Sequence, residues 1–176
     1  MRFSLLVLAA ASTAFAQYGT LERPLDVPYV PSPNVVVDTM LKLADVKKTD
    51  VVYDLGCGDG RIVIAAAKTY GAQAVGVDID PKRIEEARAN AKSAGVDKQV
   101  AFEENDLFKA DIRKASVVTL YLLPDVNQKL KPKLLSDLKP GTRVVSHSFM
   151  MGDWKPDKED VVDGRHIYMW IIPEKK

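Results

Sequence analysis

The sequence predicts an α/β domain: a doubly wound, mostly parallel sheet with an antiparallel C-terminal edge strand. Three observations lead there. From Asn34 onward, short apolar strands alternate with helices, and βαβ alternation places helices on both faces of a parallel sheet. Val117–Leu122 is nearly all apolar, as a strand buried on both faces should be. Two strand-like segments lie close together at the end, near Asp160–Val162 and at His166–Ile172, and supply the antiparallel edge.

The chain has 176 residues, 47% hydrophobic and 28% charged, with a formal net charge of +1. That is the size and composition of one globular domain with a real core. No block of like charges stands out, so no nucleic-acid partner is expected. Cys57 is the one cysteine, which excludes an intramolecular disulfide and a cysteine-rich metal site. His147 and His166 are the only imidazoles and lie far apart in sequence; no metal is expected.

Residues 1–16 read as a separate segment. Arg2 supplies a positive start, Phe3 to Ala11 is almost wholly apolar, and Ala14-Phe15-Ala16 gives a small-x-small pattern before Gln17. This is the pattern of a secretory signal, and the apolar run is shorter than the ~20 residues of a spanning helix. Export to the periplasm or beyond is the expectation. The alternative is a short retained membrane anchor that leaves the domain facing the cytoplasm. Residues 17–33 hold Pro24, Pro28, Pro31 and Pro33. Proline lacks an N–H and biases its predecessor away from helix, so an extended arm laid over the domain is expected. Residues 34–176 form the domain itself.

Within it, Asn34–Leu43 carries Val36, Val37, Met40 and Leu41 at helical spacing. Val51–Leu55 is a strand, Gly56–Gly60 a turn, and Arg61–Tyr70 an alanine-rich helix. Ala74–Asp78 is the second strand. Pro81 opens a helix at a favoured first position with Asp80 as its cap, and Gly95 stops it. Gln99–Glu104 is the third strand and Val117–Leu122 the fourth. Asp125–Leu138 is a helix, and Thr142–Ser146 the fifth strand.

The chemistry concentrates in Asp54-Leu55-Gly56-Cys57-Gly58-Asp59-Gly60-Arg61, between a strand and a helix. Glycines there let the backbone turn tightly and let a ligand approach the main chain. In open α/β sheets, ligands bind beyond the carboxyl ends of the strands. The spacing is G-x-G-x-G, with Arg61 where a dinucleotide fingerprint has its third glycine; this opposes a nicotinamide cofactor. Asp78 ends the second strand, where a carboxylate accepts hydrogen bonds from ribose hydroxyls. Asp106 follows the third. Asp59 reads either as a cap of the next helix or as a cofactor contact. Cys57 reads as a small loop residue.

Loop, strand-end Asp78 and strand-end Asp106, in this order, resemble the class I S-adenosylmethionine (AdoMet)-dependent methyltransferases. The resemblance covers about Asn34 to Ile172 and implies their Rossmann-like fold. It places Asp54 near the methionine ammonium and Gly56 and Gly58 at the pocket floor. Asp78 would then meet the ribose and Asp106 the adenine amino group, with Ile79 and Leu107 on either side of the purine.

After the fourth strand the chain reads Tyr121-Leu122-Leu123-Pro124. It lacks the Asn-Pro-Pro-aromatic motif of many enzymes that methylate amide or ring nitrogens. Tyr29-Val30-Pro31, DLGCGDGRIVIAAA and Asp153-Trp154-Lys155-Pro156 are together similar to a narrower group. These are the small lysine methyltransferases of the ATP synthase c subunit and adenine nucleotide translocase, with their prokaryotic relatives. The resemblance implies methyl transfer to a protein lysine, with a membrane protein as one candidate substrate and the N-terminus as a means of membrane association. Tyr121 and Trp154 are the candidate walls of the acceptor channel. Trp154 also reads as an anchor of the last hairpin, and Tyr121 as a strand-end core residue. His147, near the end of the fifth strand, reads as a structural histidine or a base. Two other functions stay open: methylation of a small molecule, and AdoMet or nucleotide binding without catalysis.

Overall fold

The computed structural model describes residues 29–174. The N-terminal segment 1–16 and most of the arm lie outside them. Eleven elements follow in order: α1 (Asn34–Leu43), β1 (Val51–Leu55), α2 (Arg61–Tyr70), β2 (Gln73–Asp78), α3 (Pro81–Ala94), β3 (Val100–Glu104), β4 (Val117–Leu120), α4 (Pro124–Asp137), β5 (Arg143–His147), β6 (Lys158–Val162) and β7 (Arg165–Ile171). The strands form one sheet in the order β3-β2-β1-β4-β5-β7-β6. β1 to β5 are parallel, and the C-terminal edge is an antiparallel pair. Within that pair β7 runs against all the others and lies between β5 and β6.

Local chemistry accounts for the boundaries. Asp80 caps α3 by accepting a hydrogen bond from the Lys82 N–H at 2.8 Å, with Pro81 behind it, and Gly95 closes the helix in the left-handed conformation. β4 ends at Leu120, two residues earlier than expected, and Pro124 opens α4; the chain must leave the sheet to reach that first helical position. β6 is longer than expected because its exposed polar residues pair along β7. β3 joins β4 through an irregular segment that buries Ala110, Ile112 and Ala115 where a helix often sits.

The sheet separates two apolar clusters. One packs α1, α2 and α3 against one face around Met40, Leu41, Ile62, Val63 and Ile84. The other packs α4 and the irregular segment against the opposite face around Leu120, Leu130, Leu134 and Trp170. At the N-terminal end of the strands, Asp50 ties β1, β4 and β5 by accepting hydrogen bonds from the Ser116 hydroxyl at 2.7 Å and from Arg143. The opposite end is left for the loops. Chain connections diverge there between β1 and β4, the switch point at which such sheets open a crevice.

Candidate active site

The crevice is floored by the glycine loop. The N–H groups of Gly56 and Cys57 donate to the Val77 carbonyl at 2.8 and 3.0 Å, which draws the loop across the end of β2. The Gly58 N–H donates to Asp78 Oδ2 at 2.8 Å, and the Asp80 N–H donates to Asp78 Oδ1 at 3.0 Å. One carboxylate at the end of β2 thus fixes the turns on both sides of the crevice. Gly56 and Gly58 both have positive φ, 84° and 52°. A β-carbon at Gly56 would lie 2.9 Å from Leu122 Cδ2, and one at Gly58 would lie 2.5 Å from Tyr29 Cε2. The loop is therefore cradled by the segment after β4 on one side and by the arm on the other.

Asp54 lies in register with Thr119 on the adjacent strand, and parallel pairing puts both side chains on one face. The Thr119 hydroxyl donates to Asp54 Oδ1 at 2.7 Å. Burial pushes the Asp54 carboxyl up to about 7, against the Thr119 hydrogen bond, and the charges of Asp78 and Asp59 add to the rise. Such a group favours a cation beside it. Asp106 follows β3, and its Oδ1 accepts from the Phe108 N–H at 2.9 Å.

Of the residues singled out in the sequence, Asp54, Gly56, Gly58, Asp78, Ile79, Asp106, Leu107 and Tyr121 all line this one crevice. Trp154 does not. It bridges to Met151, its ring meets Trp170 at 5.8 Å between centroids, and its carbonyl accepts from the Trp170 indole N–H at 2.8 Å. Trp154 sits in the turn before β6 and packs against the cluster beneath α4. Cys57 is buried, and burial together with the nearby carboxylates pushes its thiol far above the usual range. It is no thiolate nucleophile.

Several contacts at and beside the crevice carry no signal in sequence. Arg61 stands where a third glycine was sought, and its guanidinium binds Asp59 through two nitrogens at 3.0 and 2.6 Å. Burial works against the Asp59 carboxylate, yet the Arg61 hydrogen bonds and charge hold it below the usual range. Asp59 also accepts weakly from the Arg61 N–H at 3.3 Å, while Gly60 takes the cap position of α2. Asp59 is thus chiefly the partner of Arg61. The same Arg61 donates to the Ser32 carbonyl at 2.8 Å, which tethers the arm. Arg83 lies over the Tyr29 ring, 4.6 Å from its centroid. His147 is buried with Nδ1 2.9 Å from the Ser32 hydroxyl, and its ring stacks on Tyr121 at 3.8 Å. Burial, with the Arg165 charge, lowers His147 to about 4, so the ring is neutral near pH 7. His166 is exposed on β7 and pairs with Glu159. Among the described residues, no group of three or more His, Cys, Asp or Glu side chains is placed to hold a metal ion.

Comparison with known proteins decides the family. The ANTKMT methyltransferase domain model matches residues 54–158, from the glycine-loop strand to the start of β6. The chain belongs to this methyltransferase family. A protein-lysine N-methyltransferase of Saccharolobus islandicus is 49% identical over 155 residues, which cover 85% of this chain and 96% of the relative. The adenine nucleotide translocase lysine N-methyltransferase of Mus musculus is 36% identical, covering 86% of this chain and 70% of that protein. A solved structure described as an RNA methyltransferase from Salinibacter ruber, in complex with S-adenosyl-L-homocysteine, is 60% identical. It superposes with a TM-score of 0.82, covering 84% of this chain and 96% of that one. This methyltransferase is accordingly an AdoMet-dependent enzyme.

Proposed function

We propose that the enzyme transfers the AdoMet methyl group to the ε-amine of a protein lysine. The observation that carries this reading is the 49% identity to a protein-lysine N-methyltransferase across 96% of that protein's length. The crevice fits AdoMet on its own chemistry. Asp54, buried and held up at about 7, suits the methionine ammonium. Asp78 already holds the loop by two N–H groups, and its remaining lone pairs suit the ribose hydroxyls. Asp106 suits the adenine amino group, with Ile79 and Leu107 on the faces of the purine.

AdoMet supplies an electrophilic methyl on a sulfonium. The protein's task is to aim the acceptor nitrogen at it, and alignment contributes on the order of 7–11 kcal/mol to such reactions. Tyr121 stands at the end of β4, where its ring can wall the acceptor. Its electron-rich face favours a cation beside it, and an apolar wall helps a lysine arrive as the free amine. The arm at residues 29–33 covers the loop and keeps water from the transfer. Residues 1–16 are read as a signal for export, with a retained anchor facing the cytoplasm as the alternative. Such an anchor would bring the domain to membrane-protein substrates.

The name of the Salinibacter ruber structure favours RNA as the second reading. Purified enzyme with labelled AdoMet, offered total host protein, total RNA and a small-molecule extract in separate reactions, distinguishes them. Label in protein lysine supports the proposal; label confined to RNA or to the extract overturns it.

A further inference from the structure

We propose that His147 is a positioning residue that holds the Tyr121 ring in place as the acceptor wall and couples that wall to the arm through Ser32. The proposal rests on the reading that methyl transfer takes place beside Tyr121. Four features lead to it. The His147 and Tyr121 rings are stacked at 3.8 Å between centroids with 28° between planes. At the edge of the imidazole, Nδ1 and the Ser32 hydroxyl meet at 2.9 Å across 115 residues of sequence. Phe149 extends the stack, 6.2 Å from Tyr121 with 15° between planes. Phe149 is brought there by a tight turn. Its N–H donates to the His147 carbonyl at 2.8 Å around Ser148, a non-glycine residue at φ 64°. The Asn127 amide then pins the Phe149 carbonyl from α4 at 3.3 Å. A bulky or polar residue held at positive φ marks a place where the surroundings over-determine the backbone.

The fourth feature is what His147 leaves unmet. Its Nε2 is buried and finds no hydrogen-bond partner among the described residues. A phenyl ring would fill the same space without leaving a nitrogen unsatisfied. The imidazole therefore earns its place through Nδ1 and the Ser32 hydroxyl. Its neutrality serves the site as well, since a second positive charge behind Tyr121 would oppose the sulfonium. Ser32 is held twice: Arg61 donates to its backbone carbonyl, and its hydroxyl meets His147 Nδ1. When the arm seats, Tyr121 is set.

The test uses the full-length enzyme and the acceptor that wild type methylates. His147→Phe keeps a ring against Tyr121 and removes the link to Ser32; Ser32→Ala removes the same link from the other side. Each variant should lose kcat on the order of tenfold, the scale of a small misalignment, with AdoMet affinity within about twofold of wild type. The double variant should be no worse than either single one, because both remove one interaction. Amide hydrogen exchange at Val36 and Val37, whose N–H groups donate to the Pro33 carbonyl of the arm at 3.0 and 3.1 Å, should quicken to the same extent in all three. Unchanged kcat in folded single variants overturns the proposal, as does a double variant whose losses multiply, or arm exchange that stays at the wild-type rate. The exchange comparison needs no acceptor, so it decides the link even if the lysine reading fails.

Discussion

Tyr29 and Gly58 are fitted to one another: a β-carbon on Gly58 would stand 2.5 Å from Tyr29 Cε2. The arm is therefore seated on the turn whose N–H Asp78 receives. Gly58 is also at φ 52°, where a β-carbon costs roughly 1–2 kcal/mol. Gly58→Ala is expected to unseat Tyr29 and weaken AdoMet at least tenfold by calorimetry. Adding Tyr29→Ala should relieve the clash but not the backbone strain, and so recover only part of the loss.

Asp78 is expected to carry more of the cofactor's affinity than any other single carboxylate at the crevice, because it organises the loop and meets the ribose in the proposed binding mode. Asp78→Ala should weaken AdoMet by roughly 1.5–3 kcal/mol, the scale of hydrogen bonds to a charged group. A folded Asp78→Ala protein with wild-type affinity would remove the ribose assignment.

Two buried groups set opposing pH dependences. The folded-state value of Asp54 is raised to about 7 from 3.8. Between these values the folded chain holds the extra proton, so Asp54 lowers stability as pH rises. His147 is depressed to about 4 from 6.5. Its stabilisation is present above the unfolded value and is lost as pH falls through about 4, so over that window His147 raises stability with pH. The wild-type profile from pH 4 to 7 should be flattened by this cancellation. Denaturant titrations should show Asp54→Asn gaining stability with rising pH, and His147→Phe losing it. The same Asp54 proton must leave for the carboxylate to meet an ammonium, so AdoMet affinity should climb through about pH 7 in wild type and lose that climb in Asp54→Asn. Parallel profiles for the three proteins would rule out both assignments.

Deleting residues 17–31 removes Tyr29, which packs on Gly58, and leaves the Asn34 helix intact. The truncated enzyme should unfold cooperatively and turn over slowly. Full activity of the truncation would deny the arm a role in closing the site.

Much of this was legible in the chain. The order of strands and helices follows from apolar periodicity, and the crevice from a glycine loop between a strand and a helix. Asp54, Asp78 and Asp106 share a property that sequence displays: each stands within two residues of the last residue of a strand, at the same end of the sheet. Long-range partners were not legible. Nothing in the chain announces that Ser32 meets His147 or that Arg61 reaches back to the Ser32 carbonyl, because those contacts depend on how the arm crosses the ends of β1 and β5. Trp154 shows the converse. Its Trp-x-Pro setting resembles a functional motif, yet its ring and carbonyl are both engaged with Trp170, a partner in the neighbouring hairpin that only the fold reveals.

The central claim is methylation of protein lysine, and the measurement that meets it most directly is residue-level mass spectrometry of proteins from the native host with and without the gene, membrane fraction included. At least one protein lysine should carry methyl groups when the gene is present, lose them when it is deleted, and regain them with wild type but not with Asp78→Ala. Lysine methylation identical in the two strains, with the gene-dependent methyl group found on RNA or on a small molecule instead, would contradict it.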